Sequence, residues 1–525
     1  MSSTAENDEP GWLGLPATTA VTLLAAALLA TWIPHYLTWP WWPDLDTYAT
    51  MARQWELGLV PYRETIAFNF PGQIYLFRIL GATVGWGRTH WIYAVDAGLL
   101  VAFGLVLAAW SKRVLGRALP GLIGYVGFLG YYLGLDISAV AQRDWHGPVL
   151  SLSGVLLAQA SGSKVARLVS ALLFAAGVVF RPHVVLFLPA LALALDERAR
   201  DPGEPLRRTI GPLLGWSIIF GLALLAAFAP LMLAGAFPDF IRGVRLAGYG
   251  GTYSRSSGGV VLAEFARELS QPRLMVVPAL VVLLGRAADR GMRRSTLTWL
   301  VLMGATLWYR PLCPMQHAYL DLPLRLTWAV GLAYVSALVL RARATPALRM
   351  ATLLLMLALV LPARPANCGV RASLRAVASM MRGEEPAETP PGALALFAPG
   401  RPDGLDWPDY RATLDHLRRS VPPDVRVANL LMPFVGLDGP TGHPSPFTNE
   451  AGLIWLNLVH ASDEPRLVAD LELADESSLV VWVPVAVIGN AYFQAPELTR
   501  AVRRLYEPDR AFGRIEVWRR KREPS

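Results

Sequence analysis

The stretch WPWWPDLDTYATMARQWELGLVPYRETIAFNFPGQ, residues 39–73, follows the first apolar segment of the chain and contains two aspartates, Asp44 and Asp46. From residue 45 to 57 the apolar side chains recur at helical spacing, which predicts an amphipathic helix on the membrane surface. Gly58 is suited to end this helix, because glycine readily adopts the backbone conformation that follows a helix C-terminus. The two carboxylates therefore lie where the first apolar segment gives way to a short helix.

Two interpretations of these aspartates are open. Asp44 directly follows a proline and is a good N-terminal cap for the predicted helix, and Asp46 in the first turn favours the helix dipole. Alternatively, a carboxylate beside Trp39, Trp41 and Trp42 is partly shielded from water and held in place, as a general base must be. A structural and a catalytic role both fit this pattern.

The composition is typical of a membrane protein. Of the 525 residues, 54% are hydrophobic and only 17% are charged, and several apolar runs approach the roughly 20 residues that cross a bilayer. The formal charge of +8 comes from arginine, since only three of the basic residues are lysine. No basic stripe with interleaved aromatic residues is present, which argues against a nucleic-acid partner. The two cysteines, Cys313 and Cys368, do not form a CxxC or zinc-binding spacing.

Eleven apolar segments are readable as membrane spans. They lie near residues 17–34, 89–110, 118–136, 148–160, 168–180, 183–195, 209–236, 274–285, 295–309, 318–340 and 346–363. Every second connection is rich in basic residues, with 16 Lys or Arg in 45 residues against 12 in 113 for the others. Because basic residues concentrate on the cytoplasmic side, the N-terminus is predicted inside and the loop 35–88 outside. Cys313 and Cys368 are then both predicted at the outer face, where they either form a disulfide or remain free thiols.

The sequence FRPHVV, residues 180–185, interrupts a long apolar run. A single helix through it would place Arg181 near the middle of the hydrocarbon, which is costly. A single helix here would also place the later arginine-rich connections on the external side of the membrane, against the distribution of basic residues. Two short membrane segments hinged at Pro182 are therefore predicted.

The composition changes after residue 364, which predicts three parts of the chain. They are a cytoplasmic tail (1–16), a transmembrane domain (17–364) that includes the large first external loop (35–88), and a small external soluble domain (371–525). In the last part the helical pattern DYRATLDHLRRSV alternates with the strand-like runs VRVANLL, SLVVWVPV and GRIEVWRR, which is typical of an α/β domain. The predicted fold class is a mainly α, polytopic membrane protein with about 11 transmembrane segments and a C-terminal external α/β domain.

The first loop resembles that of GT-C superfamily glycosyltransferases, most closely the branch of protein O-mannosyltransferases and lipid A aminoarabinose transferases. In that branch an aspartate precedes an aromatic residue by four positions, and Gly, PY and a proline-bearing turn follow. Counting back from Tyr48 places the aspartate at Asp44, with Asp46 as the second acid. The resemblance implies that these two are catalytic and that Tyr62 and Arg63 contact the donor. The later turn of the family corresponds to NFPG, residues 69–72, where the family's lysine is missing.

AQRDWHGPVL, residues 141–150, is similar to the Gln-Arg-acid sequence of the second external loop in these transferases. The resemblance implies that Asp144 lines the external cavity and orients acceptor or metal, while Arg143 meets phosphate. Arginine suits this work because its planar fork donates two hydrogen bonds to phosphate oxygens. The alternative is an ion pair of Arg143 and Asp144 at the membrane interface beside Trp145.

Two further motifs resemble elements of the same family. FRPHVV is similar to the KPH or KPY element and implies donor-phosphate contacts from Arg181 and His183; alternatively it is only a proline hinge. YRPLCPMQHAYLDLPLRL, residues 309–326, resembles the late external loop and makes His317 a candidate phosphate contact. The glycine-rich stretch at 248–259 is either a mobile flap over a pocket or a plain loop.

The resemblance implies an inverting membrane glycosyltransferase of the cell envelope that uses a polyprenyl-phosphate-linked sugar. The expected acceptor is a hydroxyl of a glycan, lipid or protein on the external face of the inner (plasma) membrane. A divalent metal is a possible cofactor. No GxGxxG or nucleotide-binding domain is readable, which argues against a soluble nucleotide-sugar donor. The alternatives are a lipid or sugar transporter or flippase, and a non-catalytic envelope-assembly protein on the GT-C scaffold.

Overall fold

The computed structural model of the chain is mainly helical. It describes residues 15–65, 69–199, 207–249, 263, 266, 290–312, 318–341, 370–382, 405–431, 437, 441–448, 464–484, 487–489 and 494–522. The predictions for His317, Cys313, Cys368, most of the stretch 248–259 and the segments 274–285 and 346–363 fall outside these residues.

The bundle is built from apolar helices in chain order. They are α1 Leu15–Tyr36, α2 Pro43–Glu56, α3 Gly72–Val84, α4 His90–Val114, α5 Leu119–Tyr132, α6 Arg143–Ala160, α7 Lys164–Phe180, α8 Leu188–Ala199, α9 Arg207–Leu233, α10 Phe237–Tyr249, α11 Arg290–Leu312, α12 Leu322–Arg341 and α13 Val370–Met381. Short 3₁₀ turns, Pro182–Phe187 and Ala318–Asp321, precede α8 and α12.

Four helices are long and apolar enough to cross a membrane. They span Pro16–Tyr36, His90–Val114, Ile210–Leu233 and Tyr319–Arg341, and a shorter apolar segment spans Pro182–Asp196. The predicted multi-pass architecture therefore has support in the described residues, while the count of eleven spans stays a prediction.

The predicted interruption near Pro182 is present. Helix α7 ends at Phe180, and Arg181 has an extended backbone with φ −146° and ψ 105°. The residue before a proline is driven out of the helical region by the proline ring. The 3₁₀ turn and α8 follow, so Arg181 lies between two helical segments and belongs to neither.

The first loop contains α2 and α3, and two expectations about α2 are wrong. The helix begins at Pro43, with Trp42 at the N-cap, so Asp44 lies inside the first turn and is not the N-cap residue. Proline is favoured at the first helical position because its φ is already helical and its missing N–H is not needed there. The helix is also not amphipathic on a surface, since residues 45–52 are buried on every side. The predicted stop is correct: Gly58 follows the helix end with φ +97°.

The C-terminal part is an α/β domain, as predicted. Its helices are α14 Trp407–Ser420, α15 Glu464–Glu472 and α16 Pro496–Leu505, and its strands are β1 Val427–Leu430, β2 Leu479–Trp482, β3 Ile488–Gly489, β4 Gln494–Ala495, β5 Tyr506–Phe512 and β6 Ile515–Arg520. The four-stranded sheet has the order β1-β2-β6-β5, with β1 parallel to β2 and the other pairs antiparallel. A short antiparallel pair joins β3 to β4.

Helices cover both faces of this sheet. Leu467, Leu471, Leu498 and Val502 from α15 and α16 pack on one face. On the other face the side chains of α14 and the sheet join the same hydrophobic core as the helical bundle. The Gln54 side-chain amide of α2 donates to the backbone oxygen of Phe447 at 2.8 Å. The α/β domain therefore packs on the first loop, which explains why α2 is buried.

Candidate active site

The candidate site is centred on the first turn of α6. Gln142 is extended and α6 begins at Arg143, so Asp144 lies at the positive end of the helix dipole. Asp144 is 1% exposed and Arg143 is 9% exposed, which removes both from bulk water. A buried charge needs a partner, and the surrounding residues provide several.

Asp144 is held by two arginines and a tyrosine. Its Oδ1 lies 2.8 Å from the Arg181 Nε and accepts a hydrogen bond from the Tyr309 hydroxyl at 2.9 Å. Its Oδ2 lies 3.6 Å from the Arg143 Nε. The Arg181 Nε also donates to the Tyr309 oxygen at 3.0 Å. The cluster thus joins two guanidinium groups, one carboxylate and one phenol hydroxyl in a buried position.

Glycines bring Arg181 to Asp144 by letting α6 and α7 pack closely. A Cβ added at Gly147 would lie 2.7 Å from the Arg181 Cβ, and one added at Gly177 would lie 2.0 Å from the Ser151 Oγ. Any larger side chain would separate the two helices. The motifs at 141–150 and 180–185, which the sequence identified separately, meet at this crossing.

Tyr319 connects this cluster to the first loop. It lies in the 3₁₀ turn before α12 and is within electrostatic range of Asp44, Asp144 and Arg143. Asp44 is half-buried in the first turn of α2, whereas Asp46 is 1% exposed. The loop therefore brings Asp44 to the same region as the arginine cluster and holds Asp46 deeper in the protein.

Tyr62 helps to fix the loop beside the cluster. Its φ is +73°, a left-handed conformation that is unusual for a large side chain. Its hydroxyl donates to the Asn69 backbone oxygen at 2.5 Å, and the Asn69 amide donates to the Tyr48 hydroxyl at 2.9 Å. The Arg143 guanidinium lies 5.8 Å from the centre of the Tyr48 ring. Burial, with smaller contributions from Tyr75 and Tyr48, raises the pKa of Tyr62 well above its usual value, so its hydroxyl stays a donor.

Arg63 has other contacts. Its Nε donates to the Glu64 carboxylate at 2.5 Å and its Nη1 donates to the Ala234 backbone oxygen at 2.7 Å. Its side chain is 45% exposed. These bonds tie the loop to the end of α9, so the predicted donor contact of Arg63 is not part of the arginine cluster described above.

His183 does lie near the cluster. Its ring centre is 5.5 Å from that of Tyr309, the residue that bonds both Asp144 and Arg181. Across the described residues, no group of three or more His, Cys, Asp or Glu side chains is arranged to hold a metal ion. The predicted divalent metal therefore remains a prediction.

A second buried polar cluster, around Asp96, was not predicted. Its Oδ2 accepts hydrogen bonds from the hydroxyls of Tyr36 and Tyr132, both at 2.7 Å. Its Oδ1 lies 3.0 Å from the His146 Nε2, and the other ring nitrogen of His146 lies 3.2 Å from the Gln73 Oε1. These five side chains come from α1, α3, α4, α5 and α6, and Asp96 and His146 are completely buried.

The Asp96 cluster also shapes the turn that leads into α6. Ala141 has φ +54°, a strained conformation for a residue other than glycine. Its N–H donates to the Tyr132 hydroxyl at 3.2 Å, and its oxygen accepts from the Gln73 amide at 3.4 Å. The sequence did contain one signal for this cluster, an aspartate in an otherwise apolar span, which marks a function or a buried partner.

The comparisons with known proteins agree with this architecture. No protein-family model matches the chain, and no curated protein matches it. Among solved structures, ArnT from Cupriavidus metallidurans bound to undecaprenyl phosphate is similar over 96% of this chain and 98% of its own, with a TM-score of 0.55 and 13% identity. The chain has the ArnT fold.

The apo state of the same ArnT gives a TM-score of 0.53 at 14% identity, with the same coverage. The similarity to ArnT agrees with the resemblance seen in the sequence at the level of the fold. At this identity the ArnT fold fixes the architecture only. The roles of individual residues must come from their geometry.

Proposed function

We propose that the protein is an integral-membrane glycosyltransferase that moves a sugar from a polyprenyl-phosphate carrier to an acceptor hydroxyl. The observation that carries the proposal is the buried cluster of Arg143, Asp144, Arg181 and Tyr309. Asp44 lies within electrostatic range of Tyr319, as do Asp144 and Arg143. Carboxylate and paired arginines in one partly enclosed region are the groups that such a transfer needs. The ArnT fold, known in a complex with undecaprenyl phosphate, supports a lipid-phosphate donor.

In the proposed reaction, Asp44 removes the proton of the acceptor hydroxyl as its oxygen attacks the anomeric carbon. The bond from that carbon to the carrier phosphate breaks, and polyprenyl phosphate leaves with the bonding electrons. Negative charge develops on the leaving phosphate, where fixed positive charge lowers the barrier. Arg143 and Arg181 are the phosphate contacts in this proposal, and one displacement inverts the anomeric centre.

Asp144 is proposed as a positioning residue for the two arginines. Its Oδ1 is already bonded to Tyr309 and paired with Arg181, so it is poorly placed to take a proton from an acceptor. Asp46 is the alternative base, but its burial makes it less accessible than Asp44. Tyr62 and His183 are proposed to shape the donor pocket, and His317 remains a candidate phosphate contact.

The site is proposed to face the outside of the inner membrane. The positive-inside pattern supports this side, and the packing of the α/β domain on the first loop puts both at one end of the bundle. A carrier lipid keeps its tail in the bilayer and its sugar at the surface. A site at the end of a helical bundle suits that geometry.

The test is sugar transfer by the purified protein in lipid, with radiolabelled polyprenyl-phosphate sugars as donors and Asp44→Asn as the variant. Asparagine keeps the size of the side chain but cannot accept the proton, and loss of a general base typically lowers the rate by about 10²–10⁴-fold. We expect Asp44→Asn to insert and bind donor but to transfer sugar at least about a hundredfold more slowly. Asp46→Asn is expected to have the milder effect.

The control is Asp409→Asn, which removes an acid from the first turn of α14 in the α/β domain. It should leave the transfer rate unchanged. Near-normal transfer by Asp44→Asn, Asp46→Asn and the double variant would exclude the catalytic role of this loop. Movement of labelled lipid across the bilayer without transfer would identify a flippase, and neither activity would favour a non-catalytic scaffold.

A further inference from the structure

A narrow cleft lies between α5 and α12, away from the candidate active site. The two helices touch at Gly124, where an added Cβ would lie only 2.2 Å from the Ala329 oxygen. Next to this contact they leave a space with an aromatic and apolar lining. Its walls are Gly124, Gly127, Phe128, Tyr131, Arg325, Trp328, Ala329 and Leu332.

Among the described residues that line this cleft, Arg325 is the one that carries a charge. Its guanidinium lies 4.7 Å from the centre of the Tyr131 ring and 5.1 Å from that of Trp328. Within the part of the chain that the structure describes, its buried Nε has no hydrogen-bond acceptor and no carboxylate pairs with it. The aromatic rings stabilise a cation, but they supply neither an acceptor nor a negative charge.

Trp328 also lines this space and carries a second buried donor. The residue is 3% exposed, and its indole Nε1 is likewise buried without an acceptor in the described part of the chain. A buried donor without an acceptor is destabilising. Arg325 as a whole is half-buried, so its Nε lies inside the cleft region while part of its guanidinium is exposed. The N–H groups of Arg325 and Trp328 and the positive charge of Arg325 are therefore suited to bind an anionic oxygen ligand.

The position of the cleft indicates which anion reaches it. Arg325 lies in the first turn of α12, directly after the 3₁₀ turn that carries Tyr319, so it is at the same end of the bundle as the candidate active site. Tryptophan and tyrosine are enriched at the level of lipid headgroups, and arginine near a helix end reaches that level. The apolar walls suit the hydrocarbon part of a lipid.

We propose that this cleft binds the phosphate of an anionic membrane lipid in the leaflet on the side of the candidate active site. One phosphate oxygen accepts from the Arg325 Nε and the Trp328 Nε1, and the terminal nitrogens of Arg325 face the rest of the headgroup. The enclosed space is only about 10 Å³, so a single oxygen enters it and the remaining headgroup stays at its mouth. A water molecule would fit this space too, but it would leave the charge of Arg325 unpaired.

This inference uses the proposed insertion in the membrane but none of the residues of the proposed reaction. The lipid would be a structural ligand that holds α5 against α12. The lipid site and the transferase activity are therefore independent, and either can fail without the other.

The test measures lipid retention by the purified full-length protein. The protein is titrated with dioctanoyl phosphatidylglycerol, dioctanoyl phosphatidylcholine or inorganic phosphate, and native mass spectrometry measures the bound ligand. Wild-type protein should retain phosphatidylglycerol at least about tenfold more tightly than phosphatidylcholine, and inorganic phosphate at the same concentration should not displace it. Arg325→Gln should weaken phosphatidylglycerol binding about tenfold or more, since a hydrogen bond to a charged group is lost with the charge.

Trp328→Phe keeps an aromatic ring but removes the N–H together with the five-membered ring, so it should weaken binding about fivefold or more, as expected when a hydrogen bond to an anion is lost. The matched control is Arg341→Gln at the other end of α12, whose guanidinium donates to the Leu115 oxygen at 2.9 Å. It should leave binding unchanged. Arg325→Gln should also be at least as stable as wild type without lipid, because it removes an unpaired charge.

Each of several results would overturn the proposal. Equal retention of phosphatidylglycerol by wild type and Arg325→Gln would show that the arginine does not hold lipid. An equal loss in Arg341→Gln would show only general charge attraction. Displacement by inorganic phosphate would identify a free-anion site, and a lipid-free decrease in the stability of Arg325→Gln would identify a purely structural arginine.

Discussion

The ion pair of Asp144 and Arg181 gives the sharpest test of the candidate site. The Arg181 Nε is 2.8 Å from Oδ1, and the two side chains are 11% and 1% exposed. Removing one member of such a buried pair costs about 3–5 kcal/mol, because the other charge is left unpaired. Asp144→Asn removes the carboxylate that pairs with both guanidinium groups, so we expect a cost near the upper end. Arg181→Gln leaves Asp144 beside Arg143 and Tyr309, so its cost should be near the lower end.

The double variant should cost no more than the worse single variant. The coupling energy is then about 3 kcal/mol or more, at the upper end of the range measured for residues in one ionic network. Thermal unfolding in detergent, followed by tryptophan fluorescence, should show melting temperatures lowered by roughly 5 °C or more for the single variants. Arg242→Gln is the control, since its pair with Asp239 at 3.0 Å is 72% exposed on the arginine side and should contribute below about 1 kcal/mol.

Binding of undecaprenyl phosphate distinguishes a structural role of Asp144 and Arg181 from a role in holding the phosphate of the carrier lipid. Arg181→Gln should weaken it about tenfold or more, because a charge-assisted contact is lost. Asp144→Asn should not weaken it, because the net positive charge increases. The reasoning is refuted if the single variants melt within about 1 °C of wild type and their effects simply add. It is also refuted if Asp144→Asn weakens lipid binding as much as Arg181→Gln does.

Three further predictions address packing, topology and the second polar cluster. Gly124→Ala should lower the melting temperature strongly, because its Cβ would lie 2.2 Å from a backbone oxygen of α12, whereas Gly98→Ala, with nothing within 4 Å, should be neutral or stabilising. In a chain without its natural cysteines, Leu57→Cys and Leu473→Cys, at positions 54% and 84% exposed, should both react with a membrane-impermeant thiol reagent added from outside; reaction of only one would contradict the topology. Asp96→Asn should destabilise the protein by about 2–4 kcal/mol in denaturant-induced unfolding, since an amide cannot accept all three contacts of the carboxylate; a stability equal to wild type would contradict this.

The features that follow from local chemistry were predictable from the sequence. The break at Pro182 and the helix stop at Gly58 depend on the backbone preferences of one or two residues. The strands of the α/β domain have short β-branched and aromatic runs of the right length. The helix start was misplaced because the apolar pattern begins at Leu45, whereas Pro43 is already suited to the first helical position.

The features that depend on long-range packing were not predictable. The pattern at 45–57 is amphipathic, and a membrane surface was the simplest place for it. The α/β domain, almost 400 residues later, covers that helix through contacts such as Gln54 with Phe447. In the same way, the sequence identified Arg143, Asp144 and Arg181 individually, but only the glycine-mediated crossing of α6 and α7 makes them one cluster.

The start of α6 joins the two buried polar clusters. Asp144 and His146 are two residues apart, so their side chains point about 200° apart around the helix. Asp144 faces the arginines, while His146 faces Asp96 on the other side. Because both clusters hold the same helical turn, a shift of α6 toward either would break hydrogen bonds in the other. The first turn of α6 is therefore a fixed reference against which the first loop places Asp44, and a base that must meet its acceptor within hydrogen-bonding distance needs such a reference.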